Sequence, residues 1–573
     1  MSHIDWIVLI ITLAGVILYG LYKSRTTRDL DGYFLSNRTM PWWLVLLSVM
    51  GTQASAVTFL SVPGQSYVDG MRFVQFYFGL PLAMIVLCIT FVPIFHRLKV
   101  YTAYEYLENR FDSKTRTFIS FLFLLQRALS TGISIYAPSI ILSTLLNWNI
   151  YWTNLVMGGL LILYTVSGGA KAVAHTQKFQ MVVVFAGMFL AGYTLVSMLP
   201  EGLGFAGALE LGDKLGKMNV ITTGITEKGF NWGDRYNVIS GIIGGFFIQL
   251  SYFGTDQSQV GRYLTGSSIK ETRMGLLLNG LVKVPMQFMI LLLGVLVFSF
   301  YMFTNHPVSF NEKQVAALQN TEFKTTADQL QAKMDAVQAS KQAVVKQWVN
   351  DRDNPQLISD IKSHLQQEKI IQDSVKTLVK KTDPFTEAND TNYIFLKFVI
   401  DYLPTGLIGL LIAVIFLAGW GSIAAALNSL SSTTVVDIHK KVIEKDCTDS
   451  RDYRLSKYYT LGWGLFCVVT AMFATKMGSL IEAVNILGSL FYGTILGTFL
   501  VAFYMKKVRG NAVFIAAIIS EVLVIVLFFL NRYKYITLEY MWLALIGSVC
   551  VMVLSYLFQM FNKNAGPASP ASA

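Results

Sequence analysis

The sequence predicts an all-α membrane protein of about 13 transmembrane helices, because charge is scarce, long apolar runs recur and alternate loops are basic. Of the 573 residues, 53% are hydrophobic and 14% are charged, whereas a typical soluble domain carries about 25% charged residues. Each apolar run of about 20 residues can cross a hydrocarbon core of about 30 Å. Since backbone polar groups in lipid must be satisfied within the segment, the runs are predicted to be helices.

The predicted spans follow the apolar runs. The first span has neither a basic start nor a small-residue cleavage site, so it is predicted to be a retained helix rather than a signal peptide. The predicted spans lie near 5–23, 42–62, 72–96, 116–146, 150–167, 176–199, 236–262, 274–303, 396–437, 457–475, 480–505, 511–531 and 537–561.

Basic residues in alternate loops predict the orientation. Lys and Arg cluster in the loops that share one side of the membrane, and the positive-inside rule makes that side cytoplasmic. This places the amino terminus outside and the carboxyl terminus inside a cell membrane, either plasma or bacterial inner membrane. The net charge of +11 is explained by these loops, so no nucleic-acid partner is indicated.

The segment 304–395 is polar and interrupts the series of spans on the predicted outer side. Apolar residues at helical spacing, among them Leu330, Met334 and Val337, predict helices, and Asp353-Asn354-Pro355 predicts a turn between them. We interpret the segment as an external helical hairpin that serves as a solvated decoration or partner surface, with a direct functional role as the alternative. The tail 563–573 is too poor in apolar residues to pack and is predicted to be disordered.

Two spans carry small and polar residues where lipid would favour apolar ones. The span 42–62 contains Gly51, Gln53 and Ser55, and the span 236–262 contains Gly244-Gly245, Gln249 and Asp256-Gln257. Such stretches let a helix unwind, so that free carbonyls bind ions and solutes near the membrane midplane. The two spans are five apart, as an inverted repeat of five helices requires. Close helix packing by small residues is the competing interpretation.

Charged residues inside spans are a second indication of a site, since each costs about 2.5–3.5 kcal/mol at mid-bilayer on insertion scales. Arg127, Lys283 and Glu482 are such residues. Either cation can bind an anionic or hydroxylated solute, or pair with Glu482 in a structural bridge. The six histidines are scattered without metal-ligand spacing and no phosphate-binding loop occurs, so neither an enzyme, an organic cofactor nor direct ATP coupling is predicted.

Several motifs together resemble the sodium/solute symporter family, and nearest within it the iodide/monocarboxylate/vitamin branch. The motifs are Asp31-Gly32-Tyr33-Phe34-Leu35 leading to Pro41-Trp42-Trp43, Ser55-Ala56-Val57 followed by Val62-Pro63, Ser167-Gly168-Gly169 with Ala172-Val173, Asp256-Gln257 with Arg262-Tyr263-Leu264, and Leu427-Asn428-Ser429 before Asp437-Ile438.

The resemblance implies a five-plus-five inverted-repeat (LeuT-like) core with one extra helix before it and two after it. The implied organisation is a first helix and cytoplasmic loop (1–41), core helices 1–7 (42–303), the external insertion (304–395), core helices 8–10 (396–505), two C-terminal helices (506–562) and the tail (563–573).

The resemblance also implies site residues. A sodium ion is expected at carbonyls of core helix 1 and at core helix 8, with positions Gly51, Ala54, Ala418, Gly421 and Ser422. The implied or candidate substrate-binding residues are Gln53, Thr58, Tyr77, Arg127, Ser130, Gln249, Lys283 and Asn485, with Tyr252 as the inner aromatic gate.

Two departures from the family pattern bear on the coupling ion. The family usually has two adjacent hydroxyl residues on core helix 8, where this chain has Gly421-Ser422. Core helix 5 usually begins Thr-Asp, where this chain has Thr176-Gln177-Lys178, and an amine near the ion site could replace the ion.

The expected function is secondary active transport of a small organic solute together with a cation, sodium first, by alternating access. Proton-coupled or uncoupled transport by the same fold remains the alternative. A transporter-like membrane sensor acting through the external hairpin and a passive channel are the other hypotheses.

Overall fold

The computed structural model describes residues 1–24, 38–98, 100–383, 388–443, 449–474 and 477–561. Within these ranges, nine helices are long and apolar enough to cross a membrane, and Trp42–Gln53 and Ile150–Val166 are shorter apolar helices. The motif at 31–35 and the predicted tail 563–573 lie outside the described residues.

The described chain is almost entirely helical. Its α-helices are α1 (His3–Ser24), α2 (Trp42–Gln53), α3 (Ala56–Asp69), α4 (Leu80–Val86), α5 (Val92–Leu98), α6 (Glu105–Arg110), α7 (Ser113–Leu146), α8 (Ile150–Ser197), α9 (Gly204–Lys214), α10 (Gly245–Thr255), α11 (Gln257–Tyr263), α12 (Ile269–Tyr301), α13 (Glu312–Leu318), α14 (Lys324–Asn350), α15 (Pro355–Thr382), α16 (Thr391–Tyr402), α17 (Leu407–Thr433), α18 (Asp449–Phe473), α19 (Leu480–Tyr504), α20 (Gly510–Arg532) and α21 (Leu543–Phe561).

Short segments of other types join these helices. Two-residue strands β1 (Ile225–Thr226) and β2 (Gly229–Phe230) pair antiparallel, with Ile225 opposite Phe230. The 3₁₀ segments are Gly70–Tyr77 and Tyr540–Trp542, and the π segments are Leu87–Phe91, Ser240–Gly244 and Thr434–Ile443.

Core helix 1 is broken where the sequence predicted an interruption. Helix α2 ends at Gln53, Ala54 and Ser55 leave the helical conformation with ψ of 89° and 173°, and α3 begins at Ala56. The last four carbonyls of a helix have no partner within it, so peptide oxygens become available at the middle of the span.

Core helix 6 is broken at Asp256, at the polar end of its predicted interruption. Helix α10 ends at Thr255, Asp256 is extended with φ −75° and ψ 115°, and its carboxylate caps α11 by accepting the Ser258 N–H at 2.8 Å. The predicted Gly244-Gly245 pair serves close packing instead, because a Cβ on Gly245 would lie 2.7 Å from the Phe76 carbonyl. Both breaks fall in helices related by the five-helix repeat.

Helix α8 contains two predicted spans, 150–167 and 176–199, in one assigned helix of 48 residues. A straight helix of this length would measure about 72 Å, more than twice the hydrocarbon thickness. Its two halves pack on different helices. A Cβ on Gly158 would lie 2.1 Å from Val468 of α18, whereas one on Gly187 would lie 2.9 Å from Val414 of α17.

The polar insertion forms a helix pair, α14 and α15. Pro355 occupies the first turn of α15, and the Asn354 side chain caps it by accepting the Gln356 N–H at 3.1 Å. Met334 is buried between the two helices together with Val375 and neighbouring apolar side chains.

Three basic side chains attach the insertion to two membrane helices and to the short helix α9. Lys313 Nζ donates to the Ser143 carbonyl at the end of α7 at 3.0 Å. Arg352 pairs with Glu210 of α9 at 3.2 Å. Lys341 is fully buried, pairs with Glu368 at 2.7 Å and donates to the Tyr301 carbonyl of α12 at 3.4 Å.

Candidate substrate and cation sites between two broken helices

A cavity of about 90 Å³ lies between the two broken helices, α7 and α19. Seven of the nine predicted substrate and gate residues line it: Gln53, Thr58, Tyr77, Arg127, Gln249, Tyr252 and Asn485. A water molecule needs about 10–15 Å³ of such volume, so the cavity has room for a small solute of roughly six to nine heavy atoms.

Polar atoms without protein partners converge on this cavity. Gln53 Oε1, Arg127 Nε, Gln249 Oε1 and Asn485 Nδ2 are buried and make no hydrogen bond to any other described residue. Leaving a buried polar group unpaired costs about 1–3 kcal/mol. The arrangement therefore has the chemistry of a binding site, where a polar ligand supplies the missing partners.

Arg127 is paired with Asp256 rather than with Glu482. Its Nη1 lies 3.6 Å from Asp256 Oδ2, while Asp256 also accepts from the Ser258 hydroxyl at 2.6 Å and from the Tyr492 hydroxyl at 3.3 Å. Glu482 pairs instead with Arg235 at 2.6 Å. The predicted alternative of a bridge to Glu482 is thus wrong, because Glu482 lies at the start of α19, where Arg235 reaches it.

Ser130 and Lys283 do not line the cavity. Ser130 Oγ accepts a hydrogen bond from Gln126 Nε2 at 3.0 Å, one turn away on α7. Lys283 is fully buried behind Tyr77, with Nζ 5.6 Å from the centre of that ring. It makes no hydrogen bond with any described residue. Tyr77 therefore separates the lysine from the solute cavity.

The sequence analysis missed Gln126 and Tyr492, which also line the cavity. Helical spacing contained the signal for both. Gln126 lies four residues before Ser130, so the two share a face of α7. Tyr492 follows Asn485 by seven residues, so these two share a face of α19.

Polar contacts close the cavity on both sides. On the predicted inner side, the Tyr252 hydroxyl accepts from Gln259 Nε2 at 2.7 Å. On the predicted outer side, Gln65 Nε2 of α3 donates to Glu482 at 3.3 Å, and the hydroxyls of Ser61 and Ser479 lie 3.4 Å apart. The contacts on the predicted outer side join α3 to the start of α19, whereas the inner contact joins α10 to α11, the two halves of core helix 6.

The break in core helix 1 lies against α17, where the cation was predicted. A Cβ on Gly419 would be 3.1 Å from the Ala56 Cβ, so the backbones of the two helices approach closely. Carbonyls near the break and the Ser422 hydroxyl, which donates to the Gly419 carbonyl at 3.0 Å, are neutral oxygen donors. Hard cations prefer oxygen ligands, so the donor set fits sodium.

Gln177, not Lys178, reaches this region. The Gln177 side chain is fully buried and bonds Ser48 Oγ at 2.8 Å, Thr52 Oγ1 at 3.1 Å and the Gly421 carbonyl at 3.3 Å. The Lys178 ammonium lies over two aromatic rings, 5.4 Å from the centre of Trp43 and 4.9 Å from that of Phe179.

A polar cavity between two broken membrane helices, beside a set of neutral oxygen donors, is the arrangement of a secondary transporter. A family model described as the sodium:solute symporter family matches residues 33–334 and 379–520. The chain belongs to this family, and it is a multi-pass membrane transporter rather than an enzyme. Family membership implies sodium as the coupling ion and a small solute as the cargo.

Individual relatives agree with this assignment. The sodium/sialic acid symporter NanT of Aliivibrio fischeri is 24% identical over 98% of this chain and 94% of its own length. The sodium-dependent multivitamin transporter of Oryctolagus cuniculus is 26% identical over 87% of this chain and 66% of its own. A solved substrate-bound, outward-open structure of a Na⁺-coupled sialic acid symporter shares the fold, with a TM-score of 0.74, 22% identity and 98% of both chains covered.

Proposed function

We propose that this symporter carries a small organic anion into the cell together with sodium. The observation that carries the proposal is the convergence of unpartnered polar atoms on one cavity that Arg127 lines. Arginine presents donors in a planar fork that matches a carboxylate. A solute carboxylate would bind the guanidinium, and its remaining polar atoms would satisfy Gln53, Gln249 and Asn485.

Asp256 leaves room for such an anion. At 3.6 Å its contact with Arg127 is longer than a charge-assisted hydrogen bond of about 2.7–2.9 Å, and its oxygens already accept from Ser258 and Tyr492. Asp256 thus offsets part of the buried charge without occupying all the donors of Arg127. A monocarboxylate would supply the shorter bonds.

Sodium is proposed to bind beside this cavity at the carbonyls of Gly51, Ala54 and Ala418, with Gly421 and the Ser422 hydroxyl completing the site. The bound ion would hold core helices 1 and 8 together and so favour the conformation that receives the solute. Tyr252 would move with core helix 6 to release the solute inward. Lys283 is proposed to act through Tyr77, as a second cation behind the cavity wall.

The proposed orientation has the amino terminus outside and the carboxyl terminus in the cytoplasm of a cell membrane. It rests on the basic residues in alternate loops. In this orientation α14 and α15 face the exterior, and Gln65 and Glu482 belong to the outer closure.

The test is uptake of radiolabelled pyruvate into proteoliposomes containing the purified protein, with glucose as the neutral control solute. We expect saturable pyruvate uptake that an inward sodium gradient stimulates and that Arg127→Met abolishes. Uptake unchanged when choline replaces external sodium, at fixed pH and membrane potential, would refute sodium coupling. Preferential uptake of glucose would refute the anionic substrate.

A further inference from the structure

A carboxyl side chain is buried in the middle of the first C-terminal membrane helix. Glu521 is the central residue of α20 (Gly510–Arg532), and only 5% of it is exposed. It lies on the buried face of this helix with Ala517 and Val524, which are about one turn away on either side. An ionisable side chain placed in this way inside a membrane is expensive and marks a candidate functional site.

The carboxyl has no partner that could neutralise a charge. The Thr494 hydroxyl of α19 faces it, but neither group completes a hydrogen bond. Glu521 Oε1, Glu521 Oε2 and Thr494 Oγ1 are all buried and make no hydrogen bond with any described residue. The adjacent hydroxyl of Ser520 is already used, since it donates to the Gly547 carbonyl at 2.9 Å.

No charged side chain in the described part of the chain faces the Glu521 carboxyl. The helices packed against α20 are α7, α19 and α21. The titratable residues nearest the middle of these helices are Arg127 and Tyr492, which line the solute cavity, and Cys550. The charged residues at helix ends are Lys114, Arg116, Glu482 and Arg532. Among the described residues, Thr494 alone interacts with the carboxyl.

Thr494 lies on the side of core helix 10, α19, that is opposite to the solute cavity. It follows Asn485 by nine residues, a rotation of about 180° about the helix axis, and Asn485 lines the cavity. Close backbone contact holds α21 against α19, because a Cβ on Gly493 would lie 2.9 Å from the Gly547 Cα. Glu521 is therefore buried at the back of the helix whose front lines the cavity.

These observations favour a proton over a metal ion as the ligand of this site. An unpaired carboxylate in an apolar interior becomes neutral by binding a proton. A hard metal cation takes about six or more oxygen ligands, whereas Glu521 and Thr494 offer three unpaired oxygens. A proton needs only one donor and one acceptor, which a carboxylic acid and a hydroxyl supply.

We propose that Glu521 and Thr494 form a proton-binding site in the middle of the membrane, at the back of core helix 10. The carboxylate takes up one proton from water when the protein folds, and the acid O–H donates to the Thr494 hydroxyl. Loss of this proton leaves a charge between α19 and α20 that no described residue neutralises. The site depends neither on the proposed sodium site nor on the identity of the solute.

The first test compares the thermal unfolding of the purified full-length wild type with that of Glu521→Gln, whose side chain has the same size and is always neutral. In the unfolded chain a glutamate loses its proton near pH 4.3. Above this pH the folded wild type binds one proton more than the unfolded chain, so its free energy of unfolding falls as the pH rises. The melting temperature of the wild type relative to Glu521→Gln should therefore fall from pH 5 to pH 7.

Glu227→Gln, the same change at an exposed position of the β1–β2 turn, is the matched control. The melting temperature of the wild type relative to this variant should not change with pH. A constant difference between the wild type and Glu521→Gln would overturn the proposal, because the folded protein would then hold a charged carboxylate.

The second test locates the proton in the wild type without any substitution. Dicyclohexylcarbodiimide is apolar and reacts with carboxylic acids but not with carboxylates. The acid O–H adds across one C=N bond, the proton going to nitrogen, and the adduct rearranges to a stable N-acylurea. Mass spectrometry of the treated protein in proteoliposomes measures the fraction of Glu521 that is modified.

We expect the modified fraction of Glu521 to be at least fivefold lower at pH 9.5 than at pH 6.5, and equal in sodium and in choline. Glu482, which pairs with Arg235 at 2.6 Å, is the internal control and should remain unmodified. Protection of Glu521 by sodium at constant pH would show that the carboxylate holds a metal ion, and would overturn the proton as its ligand.

Discussion

The guanidinium of Arg127 on α7 lies 3.6 Å from the carboxylate of Asp256, the residue at which core helix 6 breaks. Both side chains are buried, with 9% of Arg127 and 1% of Asp256 exposed. The pair links an unbroken helix to the interruption in a broken one. The proposed solute contact at Arg127 therefore lies next to the break in core helix 6.

The pair of Arg127 and Asp256 predicts that effects on protein stability and on solute binding can be separated by mutation. Arg127→Met should destabilise the protein by about 3–5 kcal/mol, because Asp256 remains buried without its opposite charge. The double variant Arg127→Met/Asp256→Asn should recover most of the melting temperature, since no charge is left unpaired, but should not recover pyruvate uptake. Thermal unfolding and proteoliposome uptake of the single and double variants are the measurements. Uptake restored in the double variant would show that Arg127 serves only to balance charge.

The outer closure should be weakened by Glu482→Gln. This change removes the charge that attracts Arg235 at 2.6 Å, and partly exposed ion pairs contribute about 0.2–1 kcal/mol. We expect the outward-open population to increase by a factor of roughly 1.4 to 5. The measurement is the rate at which an impermeant thiol reagent modifies Val484→Cys, a position that lines the cavity.

Glu539→Gln is the control for this prediction. It removes the neighbouring 3.0 Å contact of Arg235 and leaves the pair with Glu482 in place. Equal acceleration of thiol modification by both substitutions would assign the effect to the loss of any charge near Arg235 and not to the closure.

Core helix 7 should tolerate no side chain where it meets α3, the second half of core helix 1. A Cβ on Gly294 would lie 2.1 Å from the Pro63 carbonyl oxygen. Gly294→Ala should therefore force α12 from α3 and cost about 1–3 kcal/mol. A Cβ on Gly159 would meet no atom of the described residues within 4 Å, so Gly159→Ala should leave the melting temperature unchanged or slightly raised. Thermal unfolding of the two variants compares them directly.

Lys217, in the loop after α9, predicts a pH dependence of stability. Burial lowers the pKa of its ammonium to about 8, whereas the value in an unfolded chain is about 10.4. Between these values the unfolded chain binds more protons, so the free energy of unfolding rises with pH. The melting temperature of the wild type relative to Lys217→Met should therefore increase from pH 7.5 to pH 10. A constant difference would show that the lysine keeps its charge in the folded protein.

Much of the architecture was predictable because lipid imposes simple rules on a sequence. The apolar runs gave the spans, and the polar cluster from Gly51 to Thr58 marked the first break correctly. The second break was placed less well, because Gly244-Gly245 and Asp256 carry the same kind of signal. Only the structure shows that the glycines permit close packing with the 3₁₀ segment while Asp256 ends the helix.

The sequence could not predict which charged residues form ion pairs. Arg127, Asp256 and Glu482 lie on three separate helices, and helical periodicity orders residues within a helix but not between helices. The position of Lys283 has the same explanation, since nothing in its neighbours along the chain indicates that Tyr77 comes between it and the cavity. Gln177 was recognised as a departure from a pattern, but its bonds to Ser48 and Thr52 depend on how α8 packs against α2.

The insertion contacts two membrane helices and the short helix α9 at once. Lys313 contacts the end of α7, Arg352 pairs with Glu210 of α9 and Lys341 contacts the end of α12, so one segment is attached to three helices. An antibody fragment that binds across α14 and α15 and makes the insertion more rigid should then slow the transport cycle without competing with the solute. Removing the contact between Arg352 and Glu210 should make the transport rate less sensitive to such an antibody.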